Sequence, residues 1–156
     1  MIWRVTGFNP NSPIDPQNIS QVPATLIERG PLINLVIVPP TIIQSQLASQ
    51  GTPHKGVPVV ALIDTGANTT AAKESVIQAA SLPFAGFTSV QGAHGSSRDH
   101  PTFFGQILFP WGSVRNVGIV QLDLGNQGFD CIIGRDTMRN WIVIYDGISG
   151  VVTIAD

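Results

Sequence analysis

Residues 59–67 read VVALIDTGA, and this stretch decides the fold because an apolar run stops abruptly at the acid Asp64. The run follows Pro58 and is rich in β-branched residues, so it predicts a buried strand. Gly66 permits a tight turn after the strand, and this turn exposes Asp64 at the strand's end. A carboxylate at the edge of an apolar core is partly removed from water, and this costs free energy unless hydrogen bonds or a charged partner offset it. We therefore interpret Asp64 as a functional residue.

A second apolar strand meets a glycine further along the chain, where residues 129–136 read FDCIIGRD and a short helical pattern follows. Taken with the Asp-Thr-Gly-Ala tetrad at residues 64–67, the Ile-Ile-Gly of residues 132–134 resembles the retropepsins, which are single-domain, homodimeric aspartic proteases related to the pepsins. The resemblance runs from about Glu28 to the end of the sequence. It implies an all-β fold, a closed barrel of the acid-protease type with one short helix after the Ile-Ile-Gly motif.

The resemblance also suggests how the chain is organised. Residues 1–27 contain four prolines and are predicted to form an extended N-terminal arm with turns, whereas residues 28–156 form the retropepsin-like domain. Within that domain, residues 41–57 make a connection longer than a hairpin and are interpreted as a surface insertion loop. Residues 87–109 predict a hairpin with a glycine-rich tip, which in the retropepsins is the flap that closes over bound peptide. A second hairpin is predicted from residues 141–145 and 151–154.

Composition excludes several classes of protein. Charged residues make up 12% of the chain, the net charge is −2 and the basic residues are scattered, so nucleic acid is not an expected partner. No apolar run is long enough to cross a bilayer and the N-terminus lacks a secretion-signal pattern, so we expect no membrane contact and a cytoplasmic protein, or a part of a virus-like or element-encoded polyprotein. The single cysteine, Cys131, lies in a predicted core strand and is interpreted as a buried hydrophobe.

The tetrad occurs once, although peptide hydrolysis of this type needs two facing carboxylates, one to accept a proton from water and one to donate a proton to the scissile carbonyl. The second carboxylate must therefore come from another chain, and a symmetric homodimer supplies it. The expected function is an aspartic endopeptidase that acts on peptides or proteins and needs no cofactor and no metal. Large apolar residues are expected on both sides of the cleaved bond.

The resemblance assigns roles to individual residues. Asp64 is the catalytic acid or base, Thr65 bonds across the dimer axis, and the Gly66 carbonyl accepts a hydrogen bond from substrate. The expected substrate-binding residues are Ala67, Asn68, Gly92, Ala93, His94, Gly95 and Ile133, and the expected supporting residues are Ile132, Gly134 and Arg135.

Arg135 departs from the retroviral pattern. In retroviral relatives this arginine pairs with an acid just after the Asp-Thr-Gly-Ala tetrad, but that position is Asn68 here. The arginine therefore needs another partner, such as Asp136 or an acid of the partner chain.

Other chemistries fit the sequence less well. The three histidines, His54, His94 and His100, lack a zinc-binding spacing, and Cys131 is placed too deep for a nucleophile. No glycine-rich loop joins a strand to a helix as nucleotide binding requires. The rival that remains open is a catalytically inactive retropepsin-fold dimer that binds peptide or mediates assembly. The intact Asp-Thr-Gly favours the enzyme, because a binding module has no chemical need for it.

Overall fold

The computed structural model describes residues 1–11, 16–91 and 95–156, and it consists mostly of β-strands with few helices. The strands are β1 (Ile2–Val5), β2 (Leu32–Val38), β3 (Val57–Ile63), β4 (Ala71–Ala72), β5 (Phe84–Gln91), β6 (Ser97–Leu108), β7 (Val114–Gln121), β8 (Cys131–Ile133), β9 (Ile142–Asp146) and β10 (Val151–Ala155). The helices are α1 (Val22–Arg29), α2 (Thr41–Ser49), α3 (Glu74–Ala79) and α4 (Arg135–Met138), and a 3₁₀ turn covers Pro16–Gln21.

The larger sheet brings the two motif stretches side by side. Its seven strands lie in the order β2-β3-β8-β4-β7-β6-β5, and β6 also pairs with β2. β3 and β8 are parallel, so that Ile63 lies opposite Ile133 and the two strands end at the same edge. Because the backbone turns at that edge after each of the two strands, the loop after Ile63 and the loop after Ile133 must meet there.

A smaller antiparallel sheet has the order β1-β10-β9. β9 and β10 confirm the predicted C-terminal hairpin, with Val152 opposite Tyr145. β1 then adds to the outer side of β10, with Val5 opposite Val152. Residues 1–11 are therefore tied to the C-terminal hairpin by strand pairing.

The core is built from the inward faces of both sheets. Its fully buried side chains include Ile37, Ile107, Ile119, Ile133 and Ile154, each of which contributes about 1.5–3 kcal/mol by leaving water. Cys131 is also fully buried, as the sequence predicted. Burial, reinforced by the charges of Asp130 and Asp136, raises the pKa of the Cys131 thiol to about 12, so this thiol stays protonated and unreactive.

The prediction of one short helix is partly correct. Helix α4 follows the Ile-Ile-Gly motif as expected, but α1, α2 and α3 are additional. In α1, Pro23 occupies the first turn, where proline is compatible with a helix because its missing N–H has no intrahelical partner. Residues 41–57 begin with α2, whose Gln44 side chain donates to Pro39 O (2.7 Å) and to Gln106 Oε1 of β6 (2.9 Å).

The hairpin expected between the two motifs is present. β5 and β6 are antiparallel neighbours, with Gln91 opposite Ser97 and Phe87 opposite Pro101. None of the helices within the described ranges has the length and apolar character needed to span a membrane.

Asp156 fastens the small sheet to the β7 side of the larger one. Its nearly buried carboxylate accepts hydrogen bonds from Trp111 Nε1 (2.9 Å) and Ser113 Oγ (2.6 Å) and forms an ion pair with Arg115. Burial alone would raise the pKa of this carboxyl, but the bonds from Ser113 and Trp111 and the charge of Arg115 outweigh it, so the pKa lies below its ordinary value.

We expect Asp156→Asn to destabilise the protein by about 1–3 kcal/mol near neutral pH. A pKa that is lower in the folded state stabilises the fold above the pKa of the unfolded chain, and this contribution is lost as the pH falls through the folded-state value. The difference between wild type and variant should therefore shrink below about pH 4. Urea denaturation across pH tests this, with the exposed Asp99→Asn as control. A difference independent of pH would contradict the role of the charged form.

Candidate functional site

Asp64 lies in a tight turn that begins where β3 ends. Its backbone N–H donates to Ile133 O of the neighbouring strand β8 (3.1 Å), and its carbonyl accepts from Ala67 N (3.2 Å). Its side-chain Oδ1 accepts from Gly66 N (2.8 Å), while Oδ2 has no hydrogen-bond partner within the part of the chain that the structure describes. One carboxylate oxygen is thus fixed by the turn, and the other is available to a ligand.

The loop after Asp64 crosses closely over the loop after β8. A Cβ atom at Gly134 would lie 2.4 Å from the carbonyl carbon of Thr69, so only glycine fits between the two loops. Just beyond this crossing, Arg135 N donates to Ala67 O (3.0 Å). The Ile-Ile-Gly glycine is therefore required by the close approach of the two backbones.

A buried polar network joins the same two loops, and the sequence reasoning missed it. The Thr70 hydroxyl is fully buried, donates to Asp136 Oδ1 (2.8 Å) and accepts from Gly134 N (3.2 Å). Because its single proton goes to Asp136, the Thr137 hydroxyl must be the donor in the 2.8 Å contact between the two threonines. Asp136 also accepts from Thr70 N (3.0 Å) and Thr137 N (2.8 Å). Every proton and lone pair of the Thr70 hydroxyl is used.

Arg135 has a different partner from those considered in the sequence. Its exposed guanidinium donates from Nη1 to the carbonyls of Thr65 (2.7 Å) and Gly66 (3.0 Å). No ion pair joins it to Asp136 or to any other acid in residues 1–11, 16–91 and 95–156. Main-chain oxygens replace the expected acid.

Asp64 and Thr65 open into a cleft of about 1020 Å³. Its lining includes the apolar side chains of Leu62, Phe129 and Val143, and the remaining lining residues are Asn9, Glu28, Arg29, Gly30, Pro31, Leu32, Ile63, Asn126, Gln127, Gly128, Tyr145 and Val152. Glu28 is the other carboxylate in this lining. A lining that mixes apolar side chains with a few polar groups is typical of a ligand-binding cleft.

The predicted site residues separate into three groups. Residues 64–68 and Gly134 and Arg135 come together at the crossing of the two loops. Ile133 is fully buried in the core, which places it out of reach of a substrate, and Ile132 is half-buried beside it in β8. Gly92, Ala93 and His94 lie outside the described residues, whereas Gly95 is exposed with φ +78°. No cluster of metal-binding side chains occurs among the residues that are described.

The buried network could not have been recognised from spacing, because Thr70 and Asp136 are 66 residues apart and each is an ordinary residue in its local context. One hint is the acid directly after Gly134-Arg135, which is the only charged side chain in that turn able to accept hydrogen bonds.

Comparison with known proteins identifies a family. The profile of a family described as aspartyl protease matches residues 52–137, more than half of the chain and a range that contains both motif loops. No curated protein matches the chain. Among solved structures, a protein of unknown function from Legionella pneumophila is similar at 14% identity over 67% of this chain and 82% of that one, with a TM-score of 0.33.

Replacing Thr70 with valine should destabilise the protein by about 2–4 kcal/mol, because the change keeps the shape and leaves the buried Gly134 N–H without an acceptor. Thr70→Ser keeps the hydroxyl and should cost less than half as much. Urea denaturation of the two variants measures the difference. Equal stabilities would mean that the hydroxyl network does not hold the loops together.

Proposed function

Because this chain belongs to the aspartyl protease family, we propose that it is a retropepsin-type aspartic endopeptidase that acts as a homodimer. The observation that carries the proposal is the state of Asp64, which is held in a tight turn, faces a large cleft and keeps one carboxylate oxygen unbonded within the described chain. A group prepared in this way can activate water. A carboxylate with a purely structural role would have both oxygens engaged, as Asp136 does.

The need for two carboxylates supports the dimer. Each chain contains one Asp-Thr-Gly, and the cleft holds no second aspartate within its lining. A twofold axis near residue 64 would bring two copies of Asp64 face to face. Two carboxylates this close share one proton, as in the aspartic proteases that are the standard example of such a pair. The ionised member then takes a proton from water, and the protonated member donates one to the scissile carbonyl.

The neighbouring residues take supporting parts in this proposal. Thr65 is exposed beside Asp64 and would bond to its counterpart across the axis. The Gly66 carbonyl would accept a substrate N–H through the lone pair that Arg135 leaves free, since a carbonyl oxygen can accept two bonds. Ala67 and Asn68 would line the substrate path. The hairpin of β5 and β6 would act as the flap over the bound peptide.

We also propose that the larger sheet closes into a barrel. β6 pairs with β7 along most of its length and with β2 at residues 106–108, so six of the seven strands form a ring of neighbours. We assign this ring as the closed barrel of the retropepsin type, with β5 extending from it as one strand of the flap.

Asp64→Asn should abolish peptide cleavage, because an amide cannot activate water as a carboxylate does. The fold should remain intact, since the oxygen of the introduced amide side chain can still accept from Gly66 N. Cleavage of a peptide library, with urea denaturation as the folding control, tests both points. Residual cleavage above about one-thousandth of the wild-type rate would contradict the assignment. Peptide binding without cleavage by the wild type would instead favour the inactive assembly or binding module.

Mixing the two proteins tests the shared site directly. In an equimolar mixture that has exchanged subunits, only about a quarter of the dimers carry two intact Asp64 residues, so the activity per wild-type chain should fall to about half. Dilution should also inactivate the wild type, because each subunit holds half a site. Activity per wild-type chain that is unchanged by the variant would show that one chain suffices.

The rate of cleavage should have its optimum on the acid side of neutrality. The pair works only while it holds one proton, so activity should decline on both sides of a window set by its two coupled ionisations. The rate measured with one peptide across pH tests this, with circular dichroism to confirm that the fold persists. A rate that keeps rising into alkaline pH would exclude the shared proton.

A further inference from the structure

We propose that Arg135 is a positioning residue that orients the Asp64 carboxylate through a single peptide group, the one between Thr65 and Gly66. This inference rests on the proposed protease function for its kinetic consequences, but its structural basis is independent of that function.

The two ends of one peptide group carry the connection. Arg135 Nη1 donates to Thr65 O at 2.7 Å, and Gly66 N donates to Asp64 Oδ1 at 2.8 Å. Thr65 O and Gly66 N belong to the same planar amide, whose carbonyl and N–H point in opposite directions. Any rotation of this amide that lengthens the bond to Arg135 also lengthens the bond to Asp64. The cation therefore fixes the plane that holds the carboxylate.

The electrostatics of the amide act in the same direction. A cation on the carbonyl oxygen polarises the amide and makes its N–H a stronger donor, as in other chains of hydrogen bonds. Asp64 Oδ1 then receives a stronger bond, while Oδ2 stays open to water. The second bond from Nη1, to Gly66 O at 3.0 Å, fixes the next carbonyl and prevents Gly66 from using its wide conformational freedom.

The fold does not need this side chain for its stability. The two loops are already joined by the backbone bond from Arg135 N to Ala67 O and by the buried Thr70 network. The Arg135 side chain is exposed and pairs with no acid within the described residues, so its removal should affect the orientation of Asp64 more than the free energy of unfolding.

Both contacts come from one nitrogen, and this yields a distinctive expectation. A lysine ammonium also offers several N–H donors on one nitrogen, so it can replace two bonds from Nη1. It could not replace a guanidinium that used two nitrogens to bind a carboxylate. Arg135→Lys should therefore keep kcat within about threefold of the wild type. Arg135→Met, which removes the donors, should lower kcat by about ten- to a hundredfold while KM changes by less than about threefold.

Arg139 supplies the matched control, because it is exposed, lies just after α4 and makes no hydrogen bond or ion pair within the described chain. Arg139→Met removes the same charge and should leave kcat unchanged, and the urea midpoints of all three variants should match that of the wild type. An equal loss of kcat in Arg135→Lys and Arg135→Met, or in Arg135→Met and Arg139→Met, would overturn the proposal.

Hydrogen exchange separates this proposal from the protease assignment. If the wild type cleaves no peptide, the assignment fails but the amide of Gly66 still reports on the contact. Its exchange should be about tenfold faster in Arg135→Met than in Arg139→Met or in Arg135→Lys. Equal exchange rates in the three variants would show that the guanidinium does not hold this peptide group, whatever the enzyme's activity.

Discussion

The parallel pairing of β3 with β8 is the constraint on which the rest of the site depends. It brings the ends of two strands that are about seventy residues apart in sequence to one edge of the sheet, with Ile63 opposite Ile133. The backbone must turn there after each strand. The two loops that follow can cross only because residue 134 has no side chain that would clash with the Thr69 backbone. The position of Asp64 is thus set by strand register and by one missing Cβ atom, before any polar contact is considered.

Stability and chemistry are carried by different polar groups at this crossing. Thr70 is fully buried and every hydrogen-bonding position of its hydroxyl is used, while the half-buried Asp136 accepts bonds on both carboxylate oxygens, so a change in either residue leaves a partner without its hydrogen bond and costs folding free energy. Asp64 and Arg135 are more exposed and share their contacts with the backbone of residues 65 and 66. The hydrogen bonds of Thr70 and Asp136 hold the two loops together. The Asp64 carboxylate is therefore held firmly while one of its oxygens remains free.

Local signals in the sequence were enough for the strand, the turn and the glycine. The run before Asp64 is apolar and β-branched, Cys131 lies between apolar neighbours, and the C-terminal hairpin has a glycine-containing turn. Non-local contacts had no such signal: β1 pairs with β10 across almost the whole chain, and Thr70 reaches Asp136 through a hydroxyl that looks like any other. The partner of Arg135 was hidden for another reason, since its acceptors are main-chain carbonyls, which every residue possesses. In residues 1–27 the prolines argued against a long helix but gave no sign of the short helix α1, in which Pro23 lies in the first turn.

If two chains form the proposed homodimer, the ordering of the loop after Asp64 carries an entropic cost. Ordering a loop costs about 1–2 kcal/mol for each residue, and a loop that became ordered only on association would subtract this from the free energy of dimerisation. In this protein the loop after Asp64 is ordered by contacts within one chain, namely Ile133 O, Gly66 N and the guanidinium of Arg135. The association of two such chains would then need to supply only the approach of the two carboxylates. In the proposed homodimer, order that is present before association would leave more of the interface free energy for dimerisation.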